Sequence, residues 1–276
     1  MRGLPALREE VAALRREVRA LRAALAEPRA SLPEALRRRG ILLGRAGAPE
    51  GLLFPPTLSA ARQRRLYEQL KRYSFRLFLR DLITHQESLR PETLTRFCSP
   101  EAAARYFRFL EGCGIIRRGR RGAIRLNQGE VFSFGPTLEW LVAQVLTREF
   151  GAPALWGCRL LDLGEGGDYD VLSLVEGALL YVEVKSSPPK HIEGKEVAAF
   201  LTRLDALMPN LAIFLVDTEL RMQDKLVGLF EEALARRRDK GRGRPRRSPV
   251  VTRVLDETFL LEGSVFLTNT RPSLVQ

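Results

Sequence analysis

The stretch from Asp168 to Lys185 constrains this chain more than any other, because its apolar pattern and its turn signal fit one strand register. Val171 to Val175 and Leu179 to Val184 are short apolar runs rich in β-branched and aromatic residues, with Glu176-Gly177 between them as a two-residue turn. If Val175 pairs with Ala178, then Val171 faces Val182, Asp170 faces Glu183 and Asp168 faces Lys185, with opposed Cβ atoms roughly 5 Å apart. Strand side chains alternate between faces, so Asp168, Asp170, Glu183 and Lys185 are expected on one face. Val182 and Val184 then point to the opposite, buried side.

Carboxylates held this close repel one another, and each is driven towards its protonated form unless a cation lies between them. Mg²⁺ suits such a pair, since it takes a few carboxylate oxygens together with waters and phosphate oxygens; Mn²⁺ is an alternative. A solvated strand with a surface ion pair is the competing account. The apolar flanks weigh against it, because they mark a central strand in which unpaired charge is costly.

Asp170, followed after a spacer of twelve residues by Glu183-Val184-Lys185, resembles the D…(D/E)-x-K signature of the PD-(D/E)XK nuclease superfamily. The resemblance implies Mg²⁺-dependent hydrolysis of phosphodiester bonds. Asp170, Glu183, Lys185 and Glu139 would be the catalytic residues, with Asp170, Glu183, Val184 and Glu139 on the metal and Lys185 positioning water. Tyr169 stands where the signature's proline would be, a departure also common within the superfamily. Asp168 is unassigned: pairing with Lys185, binding a second ion, or neither, are all open.

The flanking sequence matches the order of such a core. Pro136 suits the first turn of a helix continuing through Thr137 to Leu146, in which Glu139 shares a face with Val142, Ala143 and Leu146. Two accounts of Glu139 stand side by side. By the resemblance it joins the metal site; by helix electrostatics it complements the positive helix end, worth ~0.3–1 kcal/mol. Cys158 to Leu163 reads as a strand leading into Gly164-Glu165-Gly166-Gly167, a loop able to bring backbone close to a ligand. Lys195 to Met208 has helical periodicity, Leu211 to Val216 reads as a short buried strand, and Val250 to Thr268 as strands completing the sheet.

Charge separates the chain into unlike parts. The formal charge is +12, but residues 60–126 hold 16 Lys+Arg against 6 Asp+Glu, whereas 130–230 hold 8 against 15. An acidic catalytic region attracts polyanionic DNA poorly, so the basic segments are expected to supply the attraction. In the basic region Tyr73 to Thr84, Arg90 to Phe97 and a third segment capped by Ser99-Pro100 read as helices. Ile115 to Leu126 reads as a hairpin with a basic tip. Three helices and a basic hairpin resemble a winged helix-turn-helix domain, which implies DNA contacts from Arg105 and Arg108 on the third helix and from Arg117, Arg118, Arg120 and Arg121 on the wing. A winged helix serving protein contacts is the alternative. Residues 236–249 read as a basic, glycine- and proline-punctuated loop. Within it Lys240 to Arg247 resembles an AT-hook, placing Arg242, Arg244 and Arg246 in a narrow minor groove.

At the N-terminus Leu7, Leu14 and Leu21 at d, and Val11, Val18 and Leu25 at a, form about three heptads, with Glu10 and Glu17 facing Arg15 and Arg22 across a dimer. A helix packed on its own chain is the alternative. No apolar run suits a membrane span or signal peptide, and Cys98, Cys113 and Cys158 lack metal-ligand spacing. His85 and His191 are the only histidines, which disfavours histidine-dependent phosphoesterase sites.

The expectation is therefore an α/β restriction-endonuclease-like core, a mixed sheet flanked by helices, over 129–276. A winged helix-turn-helix over 60–128, a linker over 30–59 and a coiled-coil helix over 1–29 precede it. The function expected is a cytoplasmic, homodimeric Mg²⁺-dependent DNA endonuclease acting on double-stranded DNA, nucleoid-associated when bound. The rival is a DNA-binding regulator or architectural protein on the same fold that does not cut.

Overall fold

A computed structural model describes residues 17, 31–47, 50–55, 57–119, 123–161, 163, 168–240 and 251–275, with 238–240 described by main chain only. The expected coiled coil apart from helical Glu17, the glycine-rich 164–167, and Arg120, Arg121, Arg242, Arg244 and Arg246 lie outside the described residues.

In chain order the elements are α1 (Leu32–Arg38), β1 (Leu42–Arg45), α2 (Ala60–Leu70), α3 (Tyr73–Thr84), α4 (Pro100–Cys113), β2 (Ile116–Arg118), β3 (Ile124–Leu126) and α5 (Gly135–Glu149). There follow β4 (Ala154–Leu161), β5 (Asp168–Val175), β6 (Ala178–Lys185), α6 (Gly194–Leu207), β7 (Leu211–Val216), α7 (Gly228–Lys240), β8 (Thr252–Leu255), β9 (Thr258–Glu262) and β10 (Val265–Asn269). Eight strands form one mixed sheet in the order β1-β4-β5-β6-β7-β10-β9-β8, and β2 pairs with β3 separately. β7 runs parallel to both β6 and β10, while the other pairs are antiparallel.

The central hairpin forms in the expected register, with Val175 opposite Ala178 and Val171 opposite Val182. Its turn places Glu176 at φ 50° and Gly177 at φ 83°, the two left-handed positions that match the twist of a two-residue hairpin. On one side of the sheet Val171, Val182, Val184 and Leu215 pack with Leu138, Leu141 and Val142 of α5 and with Phe75, Phe78 and Leu79 of α3. On the other, Tyr181, Phe214 and Val216 pack with Val197, Phe200 and Leu201 of α6 and Phe230 of α7. Both faces of the central strands are covered, and burying each such aromatic or aliphatic side chain contributes about 1.5–3 kcal/mol.

Four expectations change. Residues 90–97 form turns rather than a helix, since Pro91 and the Thr- and Ser-bearing surroundings supply no apolar helical stripe; Leu89 instead bridges to Ile124. The helix that precedes α3 is α2, started by the Ser59 side chain accepting from the Arg62 N–H. The segment 30–59, expected as a linker, carries α1 and β1, and β1 pairs with β4 as an edge of the large sheet. Finally, the basic loop expected from 236 starts later. α7 runs to Lys240, with Arg236 paired to Glu232 at 2.6 Å and Arg237 to Asp205 of α6. Among the described residues no helix is long and apolar enough to cross a membrane.

Candidate active site

The site begins where β5 and β6 part. Their ladder ends at Val171 and Val182, and beyond it the Val184 N–H donates to Asp170 Oδ2 at 2.7 Å. Asp170 therefore lies in the gap between the strands and does not stand opposite Glu183 as alternation had predicted. The cause lies in β4. Trp156 pairs with Val171 and Cys158 with Tyr169, but the residues between them, Gly157 and Asp170, form no such pair. Val171 packs on the α5 side of the sheet, whereas Cys158 and Tyr169 pack on the α6 side. A change of side over two residues requires a sharp twist. Gly157 at φ 53° provides it in a conformation that Cβ-bearing residues rarely adopt.

The same kink recruits Glu139. Glu139 is carried by the second turn of α5, whose start is set by Gly135-Pro136, and the Gly157 backbone lies near enough to its carboxylate to favour the charged form. Burial, then the charge of Glu183, pushes the Glu139 carboxyl up to about 7 in spite of that neighbour. Asp170 is pushed up from the ordinary carboxylate range by burial first, then by Glu183 and Glu139. Three acids from α5, β5 and β6 thus share one electrostatic neighbourhood.

Glu183 is 2% exposed and occupies its oxygens fully. Tyr181 donates its hydroxyl to Oε2, Lys185 Nζ lies 2.9 Å from Oε1, and Arg203 Nη1 approaches Oε2 at 3.3 Å. Lys185 also reaches Glu196 Oε1 at 3.3 Å. Burial works to lower the pKa of Lys185, but Glu183 outweighs it and the net direction is up, so the ammonium is retained. Val184 keeps its side chain in the core and offers only main-chain atoms to the site. Asp168 is exposed and lies in register with Arg159 of β4, while the β5–β6 ladder ends at Val171 and Val182, before either Asp168 or Lys185. Among the described residues no three His, Cys, Asp or Glu side chains are already gathered as a metal cage.

Tyr181, Glu196 and Arg203 were not anticipated from sequence. Glu196 and Arg203 are seven residues apart in α6, hence on one helical face, and that face could have been matched to the charged face of β6. Of the residues expected to meet DNA, Arg105 and Arg108 are exposed on α4 while Ala103, Phe107 and Leu110 are buried, as their spacing predicted. Arg117 is exposed, and Arg118 is exposed but paired with Glu111 at 3.2 Å.

No family model and no curated protein matches the chain. Among solved structures it is similar to protein VC1899 from Vibrio cholerae, at 18% identity and a TM-score of 0.48 over 77% of this chain and 56% of that one. It is also similar to Can2 from Sulfobacillus thermosulfidooxidans, solved in complex with cyclic tetra-adenylate, at 12% identity and a TM-score of 0.42 over 67% of this chain and 51% of that one. The chain spans about half the length of these two proteins.

Proposed function

We propose that this chain is a Mg²⁺-dependent DNA endonuclease of the PD-(D/E)XK type. The observation that supports it best is the meeting of Glu139, Asp170, Glu183 and Lys185 at the point where β5 and β6 separate. The donor set fits a hard divalent ion in composition, since crowding three acids raises the Glu139 and Asp170 carboxyls and a cation would relieve that repulsion. When bound, such an ion supplies Lewis-acid stabilisation of the phosphate and a more acidic water.

The chain's own groups do the rest. Asp170 is oriented by the Val184 N–H, so its carboxylate is aimed by backbone rather than by a mobile side chain, and the Gly157 backbone favours the charged form of Glu139. Lys185, tethered between Glu183 and Glu196, is a donor able to hold the attacking water or the charge growing on a non-bridging phosphate oxygen. Water oxygen would bond to phosphorus, giving up a proton to solvent, as the bond to one deoxyribose oxygen breaks in line and that oxygen takes a proton from solvent. We read α2 to α4 with the β2–β3 hairpin as a winged helix-turn-helix over 60–128 that docks the duplex, the basic loop as a minor-groove contact, and the N-terminal heptads as a dimer contact that supplies one site per strand.

One observation favours the rival reading, a DNA-binding protein that does not cut. The Glu183 oxygens are engaged by Tyr181, Lys185 and Arg203, so metal coordination there competes with existing ion pairs. A plasmid-nicking assay in Mg²⁺ and in Mn²⁺ separates the two. Cleavage by the wild type, lost in Asp170→Ala with DNA binding unchanged, is the expected result; cleavage retained by Asp170→Ala overturns the assignment.

A further inference from the structure

We propose that Arg80 binds a backbone phosphate of the nucleic acid at the rim of this site, an inference that rests on the nuclease reading above. Its starting point is an imbalance of charge. Asp217, the residue after β7, has a carboxylate with 0% exposure, and two guanidinium groups address it. Arg76 alone satisfies it: Nε lies 2.9 and 3.0 Å from the two carboxylate oxygens, Nη2 lies 2.7 Å from one, and Nη1 donates to the Leu70 and Lys71 carbonyls at 2.8 and 3.0 Å. Thr270 Oγ1 adds a further donor at 3.1 Å. Arg76 is consequently a finished structural group, with every nitrogen in use and its side chain 1% exposed.

Arg80 is not finished. Its Nη2 donates to the Asp217 carboxylate and, at 3.1 Å, to the Asp217 carbonyl, but Nε has no hydrogen-bond partner and no bond from Nη1 is made among the described residues. The guanidinium lies over the Phe134 ring at 5.6 Å, and 19% of the side chain remains exposed. A second cation on one carboxylate leaves a net positive charge on a group held in place from two sides, with Nη1 as the donor left over.

Position supplies the ligand. The Asp217 main-chain N–H donates to the Lys185 main-chain carbonyl at 2.8 Å, so the residue that anchors Arg80 is bonded, backbone to backbone, to the end of the strand carrying the lysine of the proposed site. Phe134 immediately precedes α5, and a Cβ at Gly135 would lie 3.9 Å from Glu139 Oε1. Arg80 is therefore anchored between the residue that follows β7, bonded to the lysine's strand, and the residue that precedes the helix carrying Glu139. A nucleic acid threaded across three carboxylates needs a cation near the scissile phosphate, and arginine is well suited to a phosphodiester oxygen.

The test uses the full chain and a fluorescently labelled, mixed-sequence duplex DNA, with binding followed by anisotropy in EDTA over a range of salt. Arg80→Gln keeps a donor for Asp217 and removes the charge; Arg80→Met is the second variant, and a thermal melt confirms folding of each. The expected result is several-fold weaker binding and a log K against log salt slope reduced by about 0.9, the release of one phosphate's counterion. Arg76→Lys is expected to lower the melting temperature and leave the slope unchanged. An unchanged slope in a folded Arg80→Gln or Arg80→Met overturns the proposal. Mg²⁺ cleavage assays on the same proteins keep the two readings apart. A wild type that cuts while the slope is unmoved removes the Arg80 contact alone; a reduced slope in a protein that never cuts supports the contact and removes the nuclease reading.

Discussion

The acids of the site carry different burdens, and each burden is testable at a single residue. Glu139 is held beside Glu183 in a poorly solvated place, and its carboxyl is pushed up to about 7 as a result. Glu139→Gln removes a charge the fold disfavours, so it should raise the melting temperature of the metal-free protein by a few degrees while abolishing most cleavage. The Mg²⁺-induced rise in melting temperature expected of the wild type should shrink in the variant; scanning calorimetry in EDTA and in Mg²⁺ reads both. A variant that gains as much from Mg²⁺ as the wild type would remove Glu139 from the ion's surroundings. Cys158, fully buried in β4, is pushed up to about 12 by burial and then by Glu139. It stays a neutral thiol at any ordinary pH, so a thiol reagent should leave it unmodified in the native protein and react only after denaturation. Modification of Cys158 in native protein at the rate of a free thiol would show that the strand opens. The pairing of Glu183 with Lys185 follows from an i, i+2 spacing on one strand, which sequence displays. Arg203 belongs to a helix whose placement over β6 depends on the whole sheet, and its role became visible only with that packing.

Elements were legible where local chemistry and tertiary need agreed. The hairpin turn at Glu176-Gly177, the proline-started α5, the Ser99-capped α4 and the apolar β7 all form where their signals lie. The failures have a common cause. β1 is four residues long and mostly exposed, so it offers no alternating pattern; it exists because β4 presents an edge. Residues 90–97 carry polar content suited to several conformations, and the bridge from Leu89 to Ile124 decides among them. The twist in β4 was illegible for a different reason, since a glycine in a strand does not announce which side its neighbours will take. Gly157→Ala tests its importance. An alanine at φ 53° costs about 1–2 kcal/mol, which urea unfolding would read. Rotation of the residue to a relaxed conformation would also withdraw the Gly157 backbone from Glu139. Cleavage should therefore fall by more than the lost stability accounts for, measured as activity per folded molecule. Full activity in a folded Gly157→Ala would show that the kink shapes the strand without aiming the acid.

At the scale of the molecule, charge suggested a division that packing does not follow. The basic helices and the acidic sheet differ in composition, yet Phe75, Phe78 and Leu82 of α3 belong to the same buried cluster as Val171, Val184 and Leu215 of the sheet. Polar ties cross the same boundary: Tyr67 donates to Glu149 at 2.6 Å, and Arg76 seals Asp217 inside the structure. Charge patterning records what each surface meets, whereas domain boundaries depend on which apolar faces are mated. Only the first can be read from composition. A fragment of residues 129–276 would expose the α3-facing side of the sheet and leave Asp217 without either guanidinium. It is expected to be unstable, with the full chain melting in one transition. Arg76→Met isolates the electrostatic part of this argument, because it leaves the apolar contacts in place and removes the principal partner of a buried carboxylate. Breaking one side of such a pair costs about 3–5 kcal/mol, more than a surface ion pair by several-fold. Circular dichroism in the far and near ultraviolet would follow helix and tertiary signals separately. Coincident transitions, shifted together by Arg76→Met, are expected if one core supports both parts; a helical signal that melts apart from the sheet in the wild type would mean that the two parts are stabilised independently and that the buried arginine merely joins them.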